Sequence, residues 1–319
     1  MERRQFLALM AAAGSLPAFS AFAQQAVTHM LVGATPGGGT DLIARELAMA
    51  MSKLVSRQFV VDNRPGAAGN IAAHATAQAA PNGNTLLVSY TSHAINPSMG
   101  PALSFDPIND FTPLCGIASS PAVLVARPSF EANNLGEMIE LAKSHPGKIS
   151  IAIAGLGSAN HLAGAKLEKD AGIQLLSVPY KGTGPALADV AAGHTDVVFG
   201  GVASVRGLLE GGKLKPLAVS SAERLPDYKD VPTASEFVPG FVYSSWYGLF
   251  GPANMPTELA EEFSRVALDA IRSDNMSQRL NSEGMVPLAL PQKEFEEFVR
   301  NEIKRWAQVI AETGLAQKT

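Results

Sequence analysis

Thr35-Pro36-Gly37-Gly38-Gly39-Thr40-Asp41 stands between a β-like run, His29 to Ala34, and a segment in which Ile43, Leu47, Ala50 and Leu54 fall on one face of a helix. A glycine-rich turn that closes a strand and opens a helix is the building unit of an open sheet covered by helices. Two more such turns follow, Gly155-Leu156-Gly157-Ser158-Ala159-Asn160 and Gly182-Thr183-Gly184-Pro185, after strands read at Ile149 to Ala154 and Ser177 to Tyr180. A fourth, Ser89-Tyr90-Thr91-Ser92-His93, puts hydroxyls at the same kind of strand end. Each helix start leaves up to four amide donors unpaired and carries partial positive charge, and glycine lets the backbone approach a ligand closely. Any one of these turns can simply connect two elements; several distributed along the chain form a surface suited to an anion.

Outward from these turns the alternation continues. A second strand is read at Phe59-Val60-Val61, an alanine-rich helix capped by Asn70 at Ile71 to Ala80, and a strand at Thr85 to Tyr90. Residues 27 to about 127 form one α/β unit. A second begins after Val123 to Pro128, where Asn134 and Glu137 have capping-box spacing and Pro146-Gly147 stops the helix. Pro185 suits the first turn of a helix over Ala186 to Ala192, and Val197-Val198-Phe199 gives another short strand. Tyr243 to Phe250 reads as the crossing back, because helices dominate afterwards. In the last of them Phe295, Phe298, Glu302, Ile303, Trp306, Val309 and Ile310 recur at spacings of three and four, with Gly314 placed to close it.

Met1 to Ala23 has the form of a secretory signal: Arg3 and Arg4, an apolar run from Ala8 to Ala13, and Ala21-Phe22-Ala23 as the cleavage site after Ala23. The apolar run is far shorter than the roughly 20 residues of a membrane span. Removing Glu2, Arg3 and Arg4 from 29 acidic and 25 basic residues leaves 28 and 23, a formal charge of −5, without the basic stripe of a nucleic-acid binder. Cys115 is the sole cysteine, so an exported chain of this size relies on its core rather than on a disulfide. Roughly 295 mature residues suit two α/β lobes.

The order of motifs is similar to that of the substrate-binding receptors of tripartite tricarboxylate transporters, the Bug-type solute receptors, across the mature chain. The resemblance rests on Pro36-Gly37-Gly38-Gly39-Thr40-Asp41, Asp62 to Ile71, Ala80 to Gly83, His93 to Pro97, His161 to Gly164, Val178 to Gly182, Gly211 to Val219, Asp230 to Thr233 and Trp246 to Phe250. It implies a periplasmic binding protein of type II-like architecture: two α/β lobes joined by two crossover segments, with a ligand cleft between them. A small carboxylate is then gripped through main-chain amides and bridging waters. The chain departs from the family pattern twice, with Ala34-Thr35 where Phe-Pro is usual and Phe199-Gly200-Gly201 where Phe-Asp-Asn is usual.

The lobes are expected at 24–127 with 241–319 and at 128–240, with hinges near Arg127 and Trp246. Charge-assisted hydrogen bonds contribute about 1.5 to 3 kcal/mol each, whereas micromolar binding needs about 8 kcal/mol. Donors on one lobe fall short once ordering costs are counted, so closure of the second lobe supplies the difference. The expected ligand-binding residues are Thr35, Gly38, Gly39 and Thr40 in the first turn, Thr91 and Ser92 in the fourth, and Gly157, Ser158 and Thr183 in the second lobe. Glycines expose amides; hydroxyls donate to carboxylate oxygen or position water. Asp41 would repel a carboxylate and is expected to cap its helix. His93 and His161 can touch ligand or pack near helix starts, Arg64 can reach the cleft or hold a turn, and Trp246 and Tyr247 can line the cleft or fill the core.

The expected protein is thus a non-catalytic periplasmic receptor with no cofactor or metal, a monomer that hands its ligand to an integral membrane transporter or a sensor protein. An exported hydrolase lacks support, since no G-x-S-x-G or H-E-x-x-H occurs and the histidines are scattered. A dinucleotide-dependent oxidoreductase would use Gly155-Leu156-Gly157, but Asn160 stands where the third glycine of that fingerprint belongs.

Overall fold

The computed structural model describes residues 26–315 apart from 38, 101, 157 and 181. The leader read at Met1 to Ala23 therefore lies outside the described residues, as do the turn glycines Gly38 and Gly157.

The first half begins with β1 (Ala26–Val32), α1 (Gly39–Leu54), β2 (Arg57–Asn63), α2 (Asn70–Ala77), β3 (Thr85–Tyr90) and α3 (Ser92–Met99). β1 is flanked by β2 and β3, both parallel to it. Its side chains alternate as a strand requires: Met30 and Val32 enter one core with Ile43, Leu47 and Met51 of α1, and Leu31 enters another. The buried stripe of α1 is rotated from the one read in the sequence. Met51 takes the inward position, and Leu54, the last residue of the helix, is 52% exposed. α2 starts differently too. Its N-cap position is Gly69, at a φ of 93°, while the Asn70 carboxamide oxygen accepts from Asn96 Nδ2 at 2.6 Å.

β4 (Phe111–Ala126) is the spine of the molecule. From Phe111 to Pro121 it pairs antiparallel with β9 (Ser244–Pro252), whose other edge pairs with β3. From Ala122 to Ala126 it pairs instead with β7 (Val197–Gly201) and β8 (Lys215–Val219). β5 (Ser150–Ile153) joins β7, and β6 (Leu176–Pro179) forms that outer edge. β10 (Val286–Leu290) adds to β4 on the first side. The second half also carries α4 (Leu135–Ser144), α5 (Ala159–Ala171), α6 (Thr183–Ala191) and α7 (Val202–Glu210). The sequence reading of α4 matches the structure: Asn134 accepts the Glu137 N–H, and Glu137 receives the Asn133 N–H and the Asn134 side-chain amide.

The chain therefore passes between the two sheets at Pro121–Ala122, upstream of Arg127. Arg127 sits one residue beyond the end of β4, ion-paired with Asp196 at 2.9 Å. Ser220 is fully buried and binds both passages. Its hydroxyl donates to the Tyr243 carbonyl and accepts the Ala122 N–H at 2.8 Å, while the Tyr243 N–H donates to the Ser220 carbonyl at 2.8 Å.

The C-terminal part returns through β9 to α8 (Thr257–Arg272), α9 (Asp274–Ser282), β10 and α10 (Gln292–Thr313), which Gly314 closes at a φ of 67°. α10 packs on α3, β4 and α5, so it spans both sheets. Gly248 makes this possible, because a Cβ there would lie 2.0 Å from the Phe295 ring of α10. Cys115 is fully buried, and burial pushes its thiol up to about 12. Among the described residues, no helix is long and apolar enough to cross a membrane.

Candidate functional site

A cavity of about 410 Å³ opens where the two sheets meet. That volume suits a small metabolite. One wall comes from the start of α1, with Gly37, Gly39 and Leu42; the opposite wall from the starts of α5, α6 and α7, with Ser158, Ala159, Asn160, Thr183, Gly201, Ala203 and Ser204. The floor is the crossing itself: Ser120 and Ala122 of β4, and Tyr243, Ser245 and Tyr247 around β9. Glu283 and Met285, after α9, complete the rim. Four helix starts from two sheets thus converge on one space, with their partial positive charges directed at it.

Asn160 is the most informative residue in this wall. Its Oδ1 accepts the Ala154 N–H at 3.1 Å and the Ser158 hydroxyl at 2.6 Å, which fixes the carboxamide. Its Nδ2 is buried and has no hydrogen-bond partner. A buried donor left unpaired costs about 1 to 3 kcal/mol, so a carboxamide held this way is a prepared donor for an acceptor that enters the cavity. The sequence reading weighed Asn160 only as a missing glycine; its position as the second residue of α5 was the available signal.

The phenols act in the same sense. Burial pushes Tyr243 up to about 12, with the Ser245 hydroxyl at 3.2 Å partly opposing it. Tyr247 is raised well above the usual phenol range by burial, and Tyr243 and Tyr90 add to it. Both therefore remain O–H donors at neutral pH. Gly39 belongs at this point because a Cβ there would lie 3.1 Å from the Tyr247 hydroxyl.

Of the residues expected from sequence, Gly39, Ser158 and Thr183 line the cavity together. Ser158 is also the N-cap of α5, accepting the His161 N–H. Thr35 is exposed and Thr40 is buried; neither lines the cavity. Thr91 and Ser92 are buried away from it, because the Thr91 hydroxyl accepts the Trp246 N–H at 2.8 Å and so joins α3 to β9. Sequence spacing placed that hydroxyl at a strand end, but only the β3–β9 pairing shows what occupies it.

Asp41 turns away from the cavity as expected, accepting the Gly37 N–H at 2.9 Å, Asn63 Nδ2 at 2.9 Å and Arg45 Nε at 3.0 Å. Burial opposes its charge, but these donors outweigh that effect and hold its carboxyl below the usual range. Arg64 pairs with Asp62 beside it at 2.9 Å. His93 packs among Phe105, Phe111 and Phe250 with its Nε2 on the Pro107 carbonyl, and burial lowers it to about 4. His161 is buried outside the cavity lining. Trp246 fills the core, hydrogen-bonded to Glu302 at 3.1 Å, while Tyr247 lines the cleft. No group of three or more His, Cys, Asp or Glu among the described residues is arranged to hold a metal.

A cleft of amides, hydroxyls and one prepared carboxamide between two sheets joined by crossing strands defines a solute-binding protein of the periplasmic type. The family model described as tripartite tricarboxylate transporter family receptor matches residues 43–315, and the chain belongs to that family. Three solved structures place it further. Rpa4515 of R. palustris with adipate is 32% identical, with a TM-score of 0.83 over 91% of this chain and 98% of that one. The periplasmic binding protein BugD is 29% identical, with a TM-score of 0.81 over 92% and 99%. MatC from Rhodopseudomonas palustris with bound malate is 31% identical, with a TM-score of 0.78 over 89% and 99%. The chain is a solute-binding receptor of this family and not an enzyme.

Proposed function

We propose that this chain is exported to the periplasm, loses its leader after Ala23, and holds a small organic carboxylate in the cavity between its two lobes. It then delivers that ligand, as a monomer, to the membrane subunits of a tripartite tricarboxylate-type transporter or to a sensor protein. The observation that carries the reading is the unpartnered Asn160 Nδ2 in the cavity wall. The adipate and malate bound by the two Rhodopseudomonas palustris proteins support the ligand class.

In this reading the amides of Gly38, Gly39 and Gly157, the hydroxyls of Ser158 and Thr183 and the Asn160 carboxamide take the carboxylate oxygens. Tyr243 and Tyr247 donate from the floor. We take the lobes close to the division read from the sequence, 24–127 with 241–319 and 128–240, but with the boundaries moved to Pro121–Ala122, where β4 changes partner, and to Tyr243–Ser244. Gly201 adds room, because a Cβ there would find only the Ser120 hydroxyl, at 3.8 Å.

Mass spectrometry of ligand carried through native purification, followed by calorimetry with the acid found, tests the proposal. A carboxylate is expected in stoichiometric amount. Thermal stabilisation by NAD, with none from a broad panel of carboxylates, would refute it.

A further inference from the structure

Two glycines end β7, and packing explains only the first. A Cβ on Gly200 would lie 2.5 Å from Val205 of α7 and 3.3 Å from Leu187 of α6, so the close seating of both helices requires glycine there. Gly201 has no such reason. Its φ of −62° and ψ of 148° suit any residue, and an added Cβ would meet only the Ser120 hydroxyl oxygen, at an ordinary contact distance of 3.8 Å. Gly201 is also the N-cap of α7, a position where serine, threonine, aspartate or asparagine is favoured because its side-chain oxygen accepts N–H groups of the first turn. No side chain caps this helix. Glu283, the carboxylate of the cavity rim, is held by Arg279 at 3.2 Å. The N–H groups of Ala203 and Ser204, second and third in α7, are thus left over at its start, and both residues line the cavity. A second observation points to the same space. Ser120 is only 8% exposed and lines the cavity, yet no other described residue hydrogen-bonds its hydroxyl.

We propose that a carboxylate oxygen of the ligand takes the place of the missing cap: it lies beside Gly201, where a capping side chain would put its own oxygen, and accepts from the Ala203 and Ser204 amides and the Ser120 hydroxyl. This rests on the carboxylate reading above and deepens it by naming further donors of the same site. The start of α7 favours an anion there through its partial positive charge. Ser120 belongs to the part of β4 that pairs with β9, whereas α7 follows β7 in the second lobe, so one oxygen held by both joins the lobes when the ligand binds. Glycine at 201 therefore serves binding: a capping side chain would satisfy the helix and displace the ligand.

Two variants that differ by a single oxygen test this, Gly201→Ala and Gly201→Ser, titrated by calorimetry with whichever of succinate, malate, glutarate and adipate binds wild type most tightly. Without ligand, Gly201→Ser is expected to melt above Gly201→Ala, because serine caps the helix and alanine does not. With ligand the order reverses: Gly201→Ser is expected to bind at least about tenfold more weakly than Gly201→Ala, since its hydroxyl occupies the amides. Affinities within about threefold of each other, both retained or both reduced alike, overturn the proposal, as does tighter binding by the serine variant. Wild type supplies a second measurement. On saturation with the same acid the amide proton signals of Ala203 and Ser204 are expected to move downfield in NMR spectra, and signals that stay in place overturn the proposal even if a variant does not fold. Binding with those signals unmoved would leave the carboxylate reading standing; if none of the acids bound, both would fall.

Discussion

Replacing Asn160 by aspartate separates a binding role from a structural one, because it keeps the acceptor the turn uses and removes the donor a ligand would use. The carboxylate keeps the acceptor that the Ala154 N–H and the Ser158 hydroxyl use, so the turn retains its hydrogen bonds. It exchanges the buried unpartnered donor for an equally buried carboxylate oxygen with no donor, at a cost of about 1 to 3 kcal/mol or more in the empty protein. It also places a negative charge in the first turn of α5, where the helix macrodipole contributes about 0.3 to 1 kcal/mol in its favour. The two terms oppose each other, so the unliganded variant should lose no more than about 2 kcal/mol of stability. Binding suffers more. A charge-assisted hydrogen bond of about 1.5 to 3 kcal/mol is lost, and like-charge repulsion adds to it, for a total of about 3 kcal/mol or more. That corresponds to a hundredfold or greater rise in Kd. Calorimetry with the natural ligand and differential scanning fluorimetry of the ligand-stripped protein measure the two arms. Unchanged affinity would remove Asn160 from the site, and weaker binding accompanied by a comparable drop in stability would assign it a structural role only.

Other substitutions examine separate parts of the argument. Gly39→Pro deletes an amide at the first residue of α1, a helix start that proline's backbone suits, and sets a Cβ 3.1 Å from the Tyr247 hydroxyl, so affinity should drop at least about tenfold; retained affinity would exclude that turn. Glu302 accepts both the Trp246 and Trp306 indole N–H groups at 3.1 Å and pairs with Arg305 at 3.2 Å. Glu302→Leu strands two buried donors, so urea unfolding should show a loss of about 3 kcal/mol or more, and a loss below about 1 kcal/mol would contradict it. His93 is neutral in the fold, lowered to about 4 by burial, so the unfolded chain binds its proton first as pH falls. Its contribution is present above pH 6.5 and is lost between about 6.5 and 4, up to roughly 3 kcal/mol. His93→Phe should flatten stability against pH across that window, and an unaltered slope would show that other groups govern it.

Local chemistry made much of this protein legible from its sequence. Glycine turns after strands, the Asn134–Glu137 box and the periodic stripe of α10 are each set by residues within a few positions of one another, and each appears in the structure. So is the clustering of helix starts, because alternation of strand and helix obliges them to share one sheet end. Which groups at those starts face the cavity was decided by pairings distant in sequence. Thr91 is occupied by Trp246, Asp41 is turned away by Arg45 and Asn63, and the passage between sheets falls at Pro121 because β9 stops pairing there. Asn160 and Gly201 acquire meaning only from the fold, one by being fixed through its oxygen with its nitrogen left over, the other by starting a helix at the cavity with room beside it and no side chain to cap it. A side chain's type follows from its codon and its periodicity from its neighbours, but the direction it faces and the partner it lacks are properties of the closed structure.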